Sequence, residues 1–190
     1  MGKIIASDNV TLDGVVQDPA GDEGFKAGGW VGLIKDNPLL GKLALDEALG
    51  AAAWLLGRRS YDWFAARWPS RSGALADKLN SLPKYVVSRT LENPVWNNSK
   101  VLAGDAITEV SRLKQEIDGE IIVPASFQLL HTLIEHDLVD ELRLKVFPVV
   151  LGGGERLFGH TSDEKPMRLV SVEDLGGGIA YLIYQPVKDA

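Results

Sequence analysis

The sequence predicts an α/β domain, with a mixed, mostly parallel central sheet, helices on both faces and a C-terminal antiparallel hairpin. Three observations carry this. Short apolar runs alternate with amphipathic segments from residue 3 to residue 136, the pattern of parallel strands joined by crossover helices. Residues 138–154 form the longest strand-like run, rich in β-branched and aromatic residues and stopped by Pro148 and by Gly152, Gly153 and Gly154. Residues 168–173 and 179–185 alternate in polarity and are joined by Gly176, Gly177 and Gly178, as in a hairpin. No linker or repeat interrupts the chain, so residues 1–190 read as one domain.

Each element follows from local chemistry. Residues 3–7 read as a strand and residues 11–16 as a further extended stretch, turned at Asp13-Gly14. Residues 17–32 are rich in glycine and acid, with Phe25 and Trp30 embedded, and read as a flap over a site. Asn37 is placed to cap a helix that starts at Pro38, carries the stripe Leu40, Leu43 and Ala44, and ends at Gly50. Residues 52–56 form a buried strand that leads into Gly57, Arg58, Arg59 and Ser60. Tyr61, Phe64, Ala65 and Trp68 then share one helical face, read as core. Leu75 and Leu79 mark a short helix, and residues 85–88 and 100–103 two strands. Asp105 caps a helix with the stripe Ile107, Val110, Leu113 and Ile117. Residues 120–123 are a strand, and Ser126 is the expected cap of a helix whose inner face is Phe127, Leu130 and Ile134. In the long run, charged and apolar residues alternate over 140–147, so one face is wet or lines a cleft. From Val146 the residues are almost all apolar, as in a strand covered on both faces.

Composition excludes several function classes. There is no cysteine among the 190 residues, which removes disulfides, thiolate metal sites and cysteine nucleophiles. His131 and His136 are five apart on one helix, the wrong spacing for a shared metal, and no metal is expected; His136 suits a helix C-terminus and His160 the surface. The N-terminus has no signal-peptide pattern and no apolar run reaches the length of a membrane span, so a cytoplasmic protein is expected. A net charge of −6 argues against a non-specific nucleic-acid binder, while leaving room for one anionic ligand on a local basic patch.

Three strand ends carry such patches. At Gly57-Arg58-Arg59-Ser60, free backbone N–H groups at a helix start and two arginines suit a phosphate. Ser88-Arg89-Thr90 offers two hydroxyls and a guanidinium. Ala125, Ser126 and Phe127 open a helix whose first turn has no charged side chain. Any one of these could be a solvated turn; three together suit a dinucleotide. The glycine fingerprint of a standard dinucleotide-binding domain is absent after the early strands.

With these residues in view, the chain resembles the dihydrofolate-reductase-like fold, and within it the reductase domain of the riboflavin-pathway deaminase/reductase (pyrimidine reductase) proteins. The resemblance spans nearly the whole chain. It is most specific in residues 129–158, which contain the run LIEHDLVDELRLKVFPVVLGGGERLF. Leu12-Asp13-Gly14, Gly28-Gly29-Trp30, the LLGRRSYD turn and the VVSRT strand end support it. The resemblance implies NADPH as hydride donor. It maps phosphate contacts onto Gly57, Arg58, Arg59 and Ser60, the 2′-phosphate region onto Ser88 and Arg89, and a pyrophosphate-facing helix start onto Ala125, Ser126 and Phe127. Relatives usually carry glycine where Ala125 stands. Folate reductases of this fold carry a carboxylate on the first helix; counting back from Gly57 reaches Gly41, with Asp36 and Asp46 displaced, so folate reduction is not expected.

The expected activity is therefore an NADPH-dependent reduction of a small heterocycle, resembling 5-amino-6-(5-phosphoribosylamino)uracil reductase. The substrate cleft is expected between the 17–32 loop, the first helix and the 152–154 loop, with Trp30, Gly152 and Gly153 at the substrate. Asp13 is the candidate substrate-orienting or proton-relay group, and capping the turn before Gly14 is its structural alternative. A second class also suits the sequence: a non-catalytic module on the same fold that binds a nucleotide or heterocycle. A homodimer through the C-terminal strands is expected, because their alternating faces would otherwise leave an apolar patch.

Overall fold

The computed structural model describes residues 1–187. Eight strands form one sheet: β1 (Lys3–Thr11), β2 (Ala51–Gly57), β3 (Lys84–Val87), β4 (Ser99–Leu102), β5 (Glu120–Pro124), β6 (Glu141–Phe147), β7 (Met167–Asp174) and β8 (Ala180–Pro186). Their spatial order is β4-β3-β2-β5-β1-β6-β8-β7. The first six are mutually parallel; β8 and β7 add an antiparallel hairpin at the β6 edge. The helices are α1 (Pro38–Gly50), α2 (Arg58–Ala65), α3 (Ala74–Ser81), α4 (Ala106–Glu116) and α5 (Phe127–Glu135). None is long and apolar enough to cross a membrane among the described residues.

Strand alternation assigns the core to two faces. Ile4 joins Leu55 and Val123 under α4 and α5, through Val110, Leu113, Leu130 and Leu133. Its neighbour Ile5 turns to the other face, with Trp54, Leu56, Tyr61, Leu79 and Trp96. Beside that second cluster, Trp30, Phe147, Ile179 and Tyr181 pack beneath Leu40 and Leu43 of α1. Asn37 and Asp105 cap their helices, accepting from Leu39 N–H at 3.0 Å and Thr108 N–H at 2.9 Å.

Three expectations change. The long run is a strand only to Phe147. Pro148 has no N–H to continue the ladder, and Val150 is 67% exposed rather than covered. Ser126 does not cap α5; its hydroxyl accepts from Gly57 N–H at 3.1 Å and donates to the Pro124 carbonyl at 3.0 Å, tying the ends of β2 and β5. The two N-terminal extended stretches begin as one strand, because residues 8–11 pair with residues 144–147 of β6 despite the strand-averse Asp8-Asn9.

Candidate active site

A cavity of about 520 Å³ opens at the C-terminal ends of β1, β2 and β5. The backbone makes the opening. β5 stops at Pro124, paired with Ser7, while β1 runs on to Thr11 along β6, leaving Asp8 beyond the end of β5. The strand order also reverses here: β3 and β4 extend outward from β2, and the chain then returns as β5 between β2 and β1. Open α/β sheets leave a crevice at such a point.

One wall consists of two helix starts. α2 begins at Arg58 and α5 at Phe127, neither with a side-chain cap or an acid in its first turn. Their free N–H groups and positive dipole ends therefore remain available to an anion. Ser126 holds Gly57 N–H, and Ser60 Oγ donates to the Ala125 carbonyl at 2.7 Å, so the two starts are fixed side by side. Gly57 has an ordinary φ of −75°, so the turn itself does not demand glycine. A Cβ there would meet only Leu129 and Ser126, at 3.8–3.9 Å, and would fill the cradle between the helix starts. Ala125 has φ +50°, which explains why glycine suits this position: the left-handed conformation costs a side-chain-bearing residue roughly 1–2 kcal/mol. Arg58 binds Asp62 at 2.8 Å and reaches Thr90 Oγ1 at 3.4 Å; Arg59 lies 3.9 Å from Glu23. Ser88 is buried at the end of β3, accepting from Thr90 and Leu91 N–H, with Arg89 exposed beside it. Neither lines the cavity itself; the Arg58–Thr90 contact links them to it.

The facing wall carries carboxylates. Leu40, Ala44, Glu47 and Ala48 of α1 line the cavity on one helical face. Ser7 Oγ donates to Glu47 at 2.8 Å, Lys145 Nζ donates to Ser7 Oγ at 2.6 Å, and Tyr181 OH donates to Glu47 at 3.2 Å. Burial, and then the Glu47 charge, push the Tyr181 phenol well above its ordinary range, so it remains a donor. Asp8 is buried beside this group, and its Oδ2 has no hydrogen-bond partner in the protein. Burial pushes its carboxyl up to about 7, against the pull of Lys145 and of the Ala125 N–H.

Other residues singled out in the sequence lie elsewhere. Trp30 is buried beneath α1, edge-on to Phe147 at 5.3 Å, and donates to the Gln17 carbonyl. Gly152 and Gly153 do not line the cavity. Asp13 also lies outside it. Its carboxylate accepts from Thr11 Oγ1 at 2.6 Å, Gly152 N–H at 2.8 Å and Leu151 N–H at 3.2 Å, which hold it at about 2. That placement matches a group pinning two turns together, and it disfavours a proton relay, because the proton is bound too weakly. The 17–32 loop does border the cavity. Asp18 gathers the N–H groups of Gly21, Asp22, Glu23 and Phe25, and Asp22 docks on Trp63 and Arg67 of the α2 segment.

Sequence reasoning missed Asp8, Glu47, Lys145 and Tyr181. Gly41, the position reached by counting back from Gly57, does not line the cavity; the α1 acid that does is Glu47. The usable signal was Glu47 standing seven residues after Leu40, within the apolar stripe.

Comparison with known proteins agrees with this architecture. Residues 2–181 match the model of the family described as the RibD C-terminal domain. YyaP of Bacillus subtilis (strain 168), an uncharacterized protein, is 28% identical over 187 residues, covering 96% of this chain and 94% of that one. A Shewanella sp. PV-4 structure, provisionally described as a riboflavin biosynthesis protein, superimposes with a TM-score of 0.78 at 19% identity, covering 98% and 99% of the two chains. Dihydrofolate reductase from Enterococcus faecalis, complexed with NADP(H), does so with a TM-score of 0.60 at 11% identity, covering 98% and 97%. A Thermotoga maritima deaminase/5-amino-6-(5-phosphoribosylamino)uracil reductase gives 0.65 at 16% identity; this chain covers 57% of it. The fold is thus the mixed, dihydrofolate-reductase-like sheet expected from the sequence.

Proposed function

The chain belongs to the RibD C-terminal domain family, and from that premise we propose that it is a cytoplasmic, NADPH-dependent reductase of a small nitrogen heterocycle, of the riboflavin-pathway type. One observation carries the reading: two uncapped, acid-free helix starts, locked side by side, face a buried carboxylate wall across one cavity. The first wall suits the cofactor's diphosphate, through the N–H groups of α2 and α5, Arg58, Arg59 and Ser60. Ser88 and Arg89 suit its 2′-phosphate. NADPH supplies the hydride; the protein supplies orientation, a dry setting and a proton. Glu47 is kept in place by Ser7 and Tyr181, with Lys145 behind Ser7, and it orients the ring and accepts its N–H.

Cofactor choice tests the reading. A charge-assisted contact from Arg89 is worth about 1.5–3 kcal/mol. NADPH is therefore expected to bind roughly tenfold or more tighter than NADH, with Arg89→Ala erasing the difference. Equal affinities in the wild-type protein would contradict the assignment.

We also propose a C2 homodimer through the C-terminal hairpin. The surface differs in detail from the expectation. Tyr181 faces the cluster under α1, while Leu182 and Tyr184 pack on the opposite core, so β8 has no outward apolar face. The apolar surface is on the edge strand β7, at Leu169, Val170 and Val172. Edge strands with such a surface pair readily, and a two-fold axis closes the contact. Light scattering should give about twice the 20.6 kDa chain mass, and Val172→Lys should shift it toward one chain. A wild-type mass of one chain at every concentration would contradict the dimer.

A further inference from the structure

We infer that the substrate of this site carries no phosphate or other anionic arm: it is an uncharged nitrogen heterocycle with an apolar substituent. The inference rests on the reductase reading and departs from the riboflavin-pathway substrate, whose ribosyl arm carries a phosphate. The first observation is the set of cations. Arg58, Arg59 and Lys145 are the lysines and arginines that line the cavity among the described residues. The arginines stand at the α2 start, on the wall assigned to the cofactor. Lys145 is committed to Ser7 Oγ at 2.6 Å and lies 3.5 Å from Glu47, with both charged side chains 12% exposed. A second anion on this side would meet Glu47 and Asp8 and no uncommitted cation, and a charge removed from water without a partner is strongly disfavoured.

The second observation is the lining beyond Glu47. Leu40 and Ala48 of α1, Trp54 of β2, Phe64 of α2, Trp68 and Leu75 line the cavity, and all but Leu40 belong to or pack against one core cluster. They offer area to an apolar group, and Trp68 Nε1–H, buried without a hydrogen-bond partner among the described residues, suits a single neutral acceptor on it. The third observation sets the ring chemistry. Asp8 Oδ2 is buried without a partner, a state that costs free energy until a ligand fills it. A ring N–H facing that oxygen, or a ring nitrogen receiving the Asp8 proton, fills it, and Glu47 accepts a second N–H nearby. Nitrogen-rich rings supply both.

The test uses the wild-type protein loaded with NADP⁺, with loading first established by tryptophan fluorescence. Three uracils that differ only in the 6-amino substituent are then titrated: the 5-phosphoribosyl compound, its dephosphorylated form and a benzyl analogue. The benzyl compound is expected to bind tightest and the phosphorylated one at least tenfold more weakly. The phosphorylated compound binding as tightly as the others or tighter, or no binding by any of the three, would overturn the inference while leaving the NADP⁺ site intact. Failure of NADP⁺ itself to bind would instead overturn the reductase reading, and the inference with it.

Discussion

Asp8→Asn is expected to stabilise the protein by roughly 3–4 kcal/mol at pH 8, although it alters the centre of the site. The carboxyl is raised from 3.8 to about 7, first by burial, with Glu47 adding and with Lys145 and the Ala125 N–H opposing. The folded state therefore holds a proton that the unfolded state releases. This contribution is fully present below pH 4 and is lost as pH rises through 7. Asparagine keeps an oxygen for the Ala125 N–H and has no charge to bury. The stability gap between variant and wild type, from urea midpoints, should be small at pH 4, grow to pH 7 and level off above it. A gap that does not change with pH would show that Asp8 titrates normally. Sites that bind ligands commonly hold such destabilising groups.

Glu47→Gln is expected to lower kcat/KM by about 100-fold on whichever uracil is turned over, with NADPH affinity unchanged, because a reacting ring misplaced by about 1 Å loses about 10²-fold. Tyr181→Phe removes one donor to Glu47 and keeps the carboxylate, so its loss should be much smaller. An unchanged rate in Glu47→Gln would reduce Glu47 to a structural partner of Ser7 and Tyr181.

Sequence reading was uneven for physical reasons. Signals contained in a few consecutive residues were legible: the Asn37-Pro38 and Asp105 helix starts, the triple-glycine hairpin, and the helix starts that follow Gly57 and Ser126. Each depends on local backbone geometry. The long strand was overextended because apolar content in 148–150 outweighed the missing N–H of Pro148. The carboxylate wall was illegible because register assembles it. Lys145 stands opposite Tyr181 on β8 and Asn9 on β1, and α1 brings Glu47 over Ser7. Those five residues come from four elements, and a glutamate on a helix resembles any solvated one until its neighbours are known. Asp13 stood out as an acid before a glycine, and the Leu151 and Gly152 N–H groups that occupy it are 138 and 139 residues away in sequence.

The central claim is that the paired starts of α2 and α5 hold a nicotinamide dinucleotide. The most direct measurement is a titration of the wild-type protein and of Gly57→Val with NADPH, followed by tryptophan emission, since Trp54, Trp63 and Trp68 line the cavity. Saturable quenching in the wild type, lost in Gly57→Val while the circular dichroism is unchanged, is the predicted result. No quenching in the wild type, or equal affinity in a folded Gly57→Val, would contradict the account.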